Sequence, residues 1–207
     1  MAKIQPFELF SQAYDDWFVK NKNVYELEVE TVKQLMPLNA DGLEVGIGTG
    51  KFAIPLGIKI GVEPSKVMAE KSRSLGIKVY DGVAEKLPFA EDTFDFVLFV
   101  TTICFVDDIE RSFEEAYRVL KKGGVIIVGF VDRNSKMGKK YLAKKEKSKF
   151  YNIATFFSTE EVLTHLTKAG FDNFKIKQTI LSGNENKLIK NGFGEGSFVV
   201  IRGEKPI

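Results

Sequence analysis

The most constraining feature of the sequence is a short strand-like run that leads directly into three alternating glycines. Gly42–Val45 has the length and mostly apolar character of a buried strand, and Gly46, Gly48 and Gly50 follow it. Glycine permits a sharp turn and lets main-chain atoms approach a ligand without an obstructing Cβ atom. The pattern therefore predicts a strand-to-helix turn at a sheet edge, with its backbone close to a bound molecule.

Beyond this glycine turn, short apolar runs alternate with amphipathic helical patterns at 65–75 and 109–120. Neighbouring parallel strands require a helix-sized connection across one face of the sheet. The alternation predicts an α/β fold, a doubly wound three-layer sandwich with a seven-stranded, mostly parallel sheet. Two late runs lack a helical pattern between them, which predicts an antiparallel hairpin at one sheet edge. The seven predicted strands are 42–45, 59–63, 78–80, 94–100, 125–131, 174–181 and 197–202.

The length of 207 residues suits a single domain, 1–207, with one continuous core. Aromatic residues recur at helical spacing in 1–36, and the pattern breaks at Pro37. Segment 37–131 holds the glycine turn and is the predicted ligand-binding core. The polar, lysine-rich segment 132–157 is expected to cross the carboxyl edge of the sheet on the substrate side and to help shape a pocket there, and 158–207 supplies a C-terminal helix and the edge strands.

Composition excludes several classes of protein. Thirty Lys and Arg against 28 Asp and Glu give a net charge of +2, too near balance for the broad basic surface typical of nucleic-acid binding. One Cys and one His cannot form a disulfide or a His/Cys zinc site within the chain. The N-terminus lacks the apolar stretch of a signal peptide, and no apolar run approaches the roughly 20 residues of a membrane span. We therefore expect a cytoplasmic protein with no membrane span, for which nucleic acid is an unfavoured partner.

A second signal is the acidic residue that ends the second predicted strand. Glu63 lies 17 residues beyond Gly46. A carboxylate at this position can accept hydrogen bonds from both hydroxyls of a ribose, which suits a nucleoside rather than a phosphate. A solvated acid at a strand end is the alternative interpretation.

Two phosphate-binding motifs resemble the glycine turn without matching it. A Walker loop requires Gly where the chain has Val45, and Ser or Thr where it has Phe52. The dinucleotide fingerprint requires its third Gly one residue later, where the chain has Lys51. Nicotinamide binding is therefore weakened, and an NAD(P)-dependent reductase of Rossmann type stays open as an alternative.

Further motifs follow the glycine turn and Glu63 in order: 82–89, 94–97, Glu115, 118–124, and 156–158 through 170–171. This ordered set, spread over 14–205, resembles the class I S-adenosylmethionine-dependent methyltransferases, especially the small-molecule group similar to the ubiquinone/menaquinone-biosynthesis enzymes. The resemblance implies S-adenosylmethionine as cofactor, S-adenosylhomocysteine as product, and methyl transfer to an N, O or C atom of a small-molecule acceptor. Because no general base is evident, a non-catalytic S-adenosylmethionine-binding protein is a further alternative.

The resemblance also assigns candidate site residues. Those expected to bind the cofactor are Glu44, Gly46, Gly48, Gly50, Glu63, Pro64, Val83, Ala84, Glu85 and Thr101. Those expected to contact the substrate or form a lid are Tyr14, Trp17, Thr102 and Cys104. In the family an Asp often occupies the position of Val83, so a side-chain bond to the adenine amino group is expected to be missing here.

Several of these candidates also have a structural interpretation. Tyr14 and Trp17 share an apolar stripe that normally packs onto a sheet, and a lone Cys104 is more often a small buried residue than a reactive one. His165 falls in a predicted helix, 159–169, away from the expected ligand edge. Magnesium-dependent members of the family use acids after the fourth and fifth strands, but helix caps and turns explain those residues here, and no metal site is predicted. The residues concerned are Asp107, Asp108, Asp132 and Asn134.

Overall fold

The computed structural model describes residues 3–181 and 187–207, in which one eight-stranded sheet carries helices on both faces. The strands are β1 Gly42–Val45, β2 Ile60–Glu63, β3 Lys78–Asp81, β4 Phe94–Val100, β5 Leu120–Val131, β6 Asp172–Leu181, β7 Lys187–Asn191 and β8 Phe198–Glu204. The helices are α1 Gln5–Lys20, α2 Lys22–Lys33, α3 Ala53–Leu56, α4 Lys66–Ser74, α5 Ile109–Val119, α6 Lys136–Ala143 and α7 Thr159–Lys168. Short 3-10 turns lie at Lys145–Lys147 and Tyr151–Ile153. None of the helices in the described ranges is long and apolar enough to cross a membrane.

The sheet order is β3-β2-β1-β4-β5-β8-β6-β7. The strands from β3 to β5 are parallel, and β8 is antiparallel to both β5 and β6. The chain runs outward from β1 through β2 and β3 and then returns to β4 on the other side, so β1 and β4 flank a topological switch point. Ligands of such sheets bind in the crevice outside the carboxyl ends of these strands. The predicted doubly wound α/β fold is confirmed, and the glycine turn lies at this crevice.

The sheet has one strand more than the seven predicted. β7 pairs antiparallel with β6 and forms the sheet edge. It lies within the Asn- and Gly-rich stretch 182–196, whose composition is typical of a connection, and 182–186 fall outside the described residues. The predicted antiparallel pair is present as β6 with β8. It is not at the edge, because β5 covers one side of it and β7 the other.

Helix boundaries follow local capping. Ser65 and Asp108 accept hydrogen bonds from the first turns of α4 and α5. The helical N-terminal pattern divides into α1 and α2 at Asn21, whose φ and ψ angles of −114° and 34° are not helical. Its side-chain amide donates to the Trp17 carbonyl at 2.8 Å, which satisfies a carbonyl at the end of α1.

The core lies on both faces of the central strands. Along β4, Val97 and Phe99 are fully buried in one apolar cluster, whereas Phe96 and Leu98 are buried in a second cluster on the opposite face. Alternate residues of a strand point to opposite faces, and a strand that is covered on both faces is apolar throughout. This double burial fixes β1 and β4, and hence the crevice between them.

Candidate functional site

The glycine turn adopts a backbone that other residues tolerate poorly. Gly46, Gly48 and Gly50 have φ angles of 70°, 56° and 79°. A Cβ atom on Gly46 would lie 2.4 Å from Thr102 Cγ2, and one on Gly48 would lie 3.3 Å from the Tyr14 hydroxyl oxygen. The turn therefore passes closely beneath both α1 and the segment that follows β4.

Glu63 is fixed at the carboxyl end of β2. Its Oε2 accepts the Gly48 N–H at 2.9 Å and its Oε1 accepts the Ser65 N–H at 2.9 Å. Burial raises the pKa of Glu63 to about 7, although these two hydrogen bonds lower it. Each carboxylate oxygen has a further lone pair, so the group can still accept two hydroxyl hydrogens from a ligand.

A cavity of about 230 Å³ lies over the carboxyl ends of β1, β2 and β4. α1 and the segment after β5 contribute side chains to its other walls. The structure brings most of the predicted site residues together around this cavity. They are Tyr14, Trp17, Gly46, Gly48, Glu63, Pro64, Val83, Ala84, Glu85, Thr101 and Thr102.

Thr101 stands out among these residues because its backbone lies in the left-handed region, with a φ angle of 51°. A β-branched residue rarely adopts this conformation, which costs about 1–3 kcal/mol and is found mostly at functional sites. Its N–H donates to the Gly129 carbonyl at 2.8 Å, and this bond holds the strained residue at the end of β4. The left-handed conformation of Thr101 turns the chain after β4 so that Thr101 and Thr102 line the cavity.

Three predicted site residues, Glu44, Gly50 and Cys104, do not line the cavity. Glu44 is buried, and burial followed by the charge of Glu63 raises its pKa well above the ordinary value. Cys104 borders a smaller adjoining cavity, where its thiol donates to the Thr101 carbonyl at 3.3 Å. Burial raises the pKa of Cys104 to about 12, so the thiol is neutral near pH 7 and a poor nucleophile.

Aromatic residues form much of the cavity wall, and sequence reasoning did not single them out as site residues. We refer to Phe7, Phe105, Tyr141, Phe150 and Tyr151 as the aromatic wall. Ring centroids are 4.9 Å apart for Phe7 and Phe105, 5.6 Å for Phe7 and Phe150, and 4.9 Å for Tyr141 and Tyr151. Three of these rings occur in or just after a lysine-rich stretch. Aromatic residues among so many lysines could have indicated that one side of this segment is buried.

Glu28 is a further residue that lines the cavity and that the sequence did not indicate. It lies in α2, where an acid normally faces solvent, yet it is only 7% exposed and lines the cavity. Burial raises the pKa of Glu28 to about 8.

Asp15 joins α1 to the glycine turn. Its carboxylate accepts the Thr49 hydroxyl at 2.6 Å and the Lys71 ammonium at 2.9 Å, and it lies 3.2 Å from Lys51 Nζ. Burial alone would raise the pKa of Asp15, but hydrogen bonds from Thr49, Lys71 and Lys51 hold it below its ordinary value. The anchor places the neighbouring Tyr14 over Gly48.

The acids after β4 and β5 have structural partners. Asp108 caps α5, and Asp132 accepts hydrogen bonds from the Asn134 N–H at 2.6 Å and the Thr159 hydroxyl. His165 lies on α7, with Nδ1 3.4 Å from Glu110 and outside the cavity. Among the residues that the structure describes, no group of three His, Cys, Asp or Glu side chains could hold a metal ion.

A family model described as a methyltransferase domain, Methyltransf_11, matches residues 43–128, which include the glycine turn and Glu63. A crystal structure from Thermotoga maritima, described as a SAM-dependent methyltransferase and possible histamine N-methyltransferase, has 52% sequence identity and a TM-score of 0.95. The match covers 98% of this chain and 99% of that one.

Curated relatives extend the comparison. The uncharacterized protein MJ1123 of Methanocaldococcus jannaschii is 46% identical over 202 residues, which are 96% of this chain and 98% of its own. A ubiquinone/menaquinone biosynthesis C-methyltransferase of Rickettsia bellii is 28% identical over 191 residues, covering 74% of this chain and 76% of its own.

Proposed function

Since the chain belongs to the S-adenosylmethionine-dependent methyltransferases, we propose that it transfers the methyl group of this cofactor to a small acceptor in the cavity between Glu63 and the aromatic wall. The enzyme class and the cofactor follow from the family. The acceptor's small size is supported by the cavity volume of about 230 Å³, which side chains of α1 and of the segment after β5 help to line.

The residues at the switch point fit a nucleoside cofactor. Glu63 is held by two backbone N–H groups and presents its carboxyl group to the cavity. In the proposed site it accepts the ribose hydroxyls, and the backbone of Gly46 and Gly48 lies against the amino-acid portion of the cofactor. Val83 and Ala84 line the same cavity and supply an apolar surface for adenine.

The bound cofactor supplies a methyl group on a positively charged sulfur, which reacts by in-line displacement. The chain's contribution is to align the acceptor and to exclude water. Phe7, Phe105 and Phe150 present apolar surface to the cavity and limit the space open to solvent. Alignment of this kind is sufficient for an acceptor that is already nucleophilic, because such an acceptor needs no general base to activate it.

The observation that carries this proposal is that Glu63 and the aromatic wall line one and the same cavity. Calorimetric titration with S-adenosylhomocysteine and, separately, with NADH tests which cofactor binds. Incubation with methyl-labelled S-adenosylmethionine and a panel of amines, phenols, quinols and thiols tests methyl transfer to a small acceptor. Histamine belongs in the panel because of the description of the Thermotoga maritima protein.

We expect S-adenosylhomocysteine to bind, NADH not to compete with it, and at least one acceptor to gain the label. Binding of NADH in place of S-adenosylhomocysteine would support the reductase alternative. Cofactor binding without labelling of any small acceptor would support the non-catalytic alternative.

A further inference from the structure

Among the described residues that line the cavity, Glu28 has a carboxyl group without a protein partner. Glu28 is 7% exposed and lines the cavity, and within residues 3–181 and 187–207 no hydrogen bond or ion pair reaches its carboxyl group. A buried carboxyl group without a partner is costly and calls for an explanation. A ligand that binds in the cavity and supplies the missing donor provides one.

The other charged groups of the cavity already have partners. Glu63 accepts two backbone N–H groups, and Glu85 accepts the N–H groups of Asp107 and Asp108. Lys3 is the one cationic side chain among the described residues that line the cavity. Its Nζ donates to the Val106 carbonyl at 3.1 Å and to Thr155 Oγ1 at 3.5 Å, away from Glu28.

Aromatic rings line the same cavity as Glu28. Burial, followed by the nearby charge of Glu28, raises the pKa of Tyr141. The charge of Glu28 also contributes to the raised pKa of Tyr151, after burial and the nearby Tyr141 and Cys104. The two tyrosine rings are stacked with centroids 4.9 Å apart, and Phe105 stacks on Tyr151 at 6.2 Å. Ring faces carry negative electrostatic potential and attract cations.

We propose that the acceptor carries a basic amino group, which binds as an ammonium ion to Glu28 and the aromatic wall. This inference rests on the proposed function, because the molecule bound there is the one that is methylated, at a nucleophilic atom other than the protonated nitrogen. An ammonium group supplies both N–H donors for the carboxylate and a positive charge for the ring faces. A neutral alcohol supplies only the donor, and an anion is repelled by the negative potential of the ring faces.

The protonation of Glu28 is compatible with this binding. Burial raises the pKa of Glu28 to about 8, so in the ligand-free protein the group holds its proton near neutral pH. An adjacent cation favours the charged form and lowers the pKa again. Binding of an ammonium ion therefore releases the carboxyl proton of Glu28 and forms an ion pair inside the cavity.

The test compares an arylalkylamine with the arylalkyl alcohol of the same skeleton, each titrated into protein saturated with S-adenosylhomocysteine. The variants are Glu28→Gln, which keeps the shape of the side chain, and Glu26→Gln on the exposed side of α2, where Glu26 lies 3.7 Å from Lys22. We expect Glu28→Gln to weaken amine binding by about 10- to 100-fold, as for a lost charge-assisted hydrogen bond. Glu26→Gln keeps the wild-type affinity, and the alcohol binds weakly to all three proteins.

A second variant removes a ring face without touching the acid. Tyr151→Leu is expected to weaken amine binding by about 3- to 30-fold through loss of the cation–π contact. A cooperative thermal unfolding transition and an unchanged S-adenosylhomocysteine affinity show that the variants are folded and that the cofactor site is intact.

Three results overturn the inference: equal amine affinity in Glu28→Gln and wild type, failure of every amine to bind the cofactor-saturated wild type, or equal loss of S-adenosylhomocysteine affinity in Glu28→Gln. The last result assigns Glu28 to the cofactor. None of them affects the proposed function, which fails instead if the wild-type protein does not bind S-adenosylhomocysteine.

Discussion

At the scale of single residues, Glu28 makes the ligand-free protein less stable as pH rises. Its pKa is about 8 in the folded chain against an ordinary 4.5, so the folded state holds a proton that the unfolded state has released. The free energy of unfolding therefore falls as pH rises from about 4.5 towards 8, and the loss is absent below this interval.

We predict that Glu28→Gln stabilises the ligand-free protein by about 1–3 kcal/mol at pH 8 and has little effect at pH 4.5, because a neutral amide has no proton to lose. Denaturant unfolding at the two pH values measures the difference. Glu26→Gln serves as the control and should show no such dependence. An equal effect of Glu28→Gln at both pH values would contradict the assigned protonation.

The glycine turn allows a matched comparison of two glycines. Gly46 and Gly57 have nearly equal φ angles, 70° and 72°, but a Cβ atom on Gly46 meets Thr102 at 2.4 Å, whereas one on Gly57 meets nothing within 4 Å. Gly57→Ala should lower the free energy of unfolding only through backbone strain, by about 1 kcal/mol. Gly46→Ala should cost more and should also weaken S-adenosylhomocysteine binding by about 10-fold or more, because Thr102 and the turn must move apart. Equal behaviour of the two variants in unfolding and binding would refute the close approach.

At the scale of elements, the position of α1 depends on Asp15. Thr49 and Lys71 hydrogen-bond to its carboxylate, and Lys51 lies within ion-pair distance. The folded-state pKa of Asp15 lies below the ordinary 3.8, so these interactions stabilise the fold above that pH and are lost in stronger acid.

We predict that Asp15→Asn lowers the opening free energy of α1 by about 1–2 kcal/mol at neutral pH, because a charged acceptor loses its donors. Hydrogen–deuterium exchange of α1 measures this opening. Asp16→Asn is the matched control, since Asp16 accepts only the exposed Gln12 amide at 3.0 Å. Equal protection of α1 in the two variants would show that Asp15 does not anchor the helix.

Elements with local signals could be predicted from the sequence. β1 and β4 have the predicted bounds, because both are buried apolar runs between polar turns. α4 and α7 begin where Ser65 and Ser158 cap them. β7 could not be predicted, because its stability comes from pairing with β6 rather than from its own composition.

At the scale of the whole molecule, the sequence predicts the proposed cofactor half of the cavity better than the proposed acceptor half. Gly46, Gly48 and Glu63 lie within 18 residues of one another, and strand ends position them directly. Glu28, on α2, and Tyr151, after β5, line the same cavity although they are far apart in the sequence. Neither residue's own segment indicates the other.

The most direct measurement is calorimetric titration of S-adenosylhomocysteine into the wild-type protein, Glu63→Gln and the exposed control Glu70→Gln on α4. The Gln amide cannot accept at both oxygen positions, so one backbone N–H or ribose hydroxyl loses its acceptor. We predict about 10- to 100-fold weaker binding by Glu63→Gln and wild-type affinity for Glu70→Gln. Wild-type affinity in Glu63→Gln, or no binding by the unmodified protein, would contradict a nucleoside site at the carboxyl end of β2.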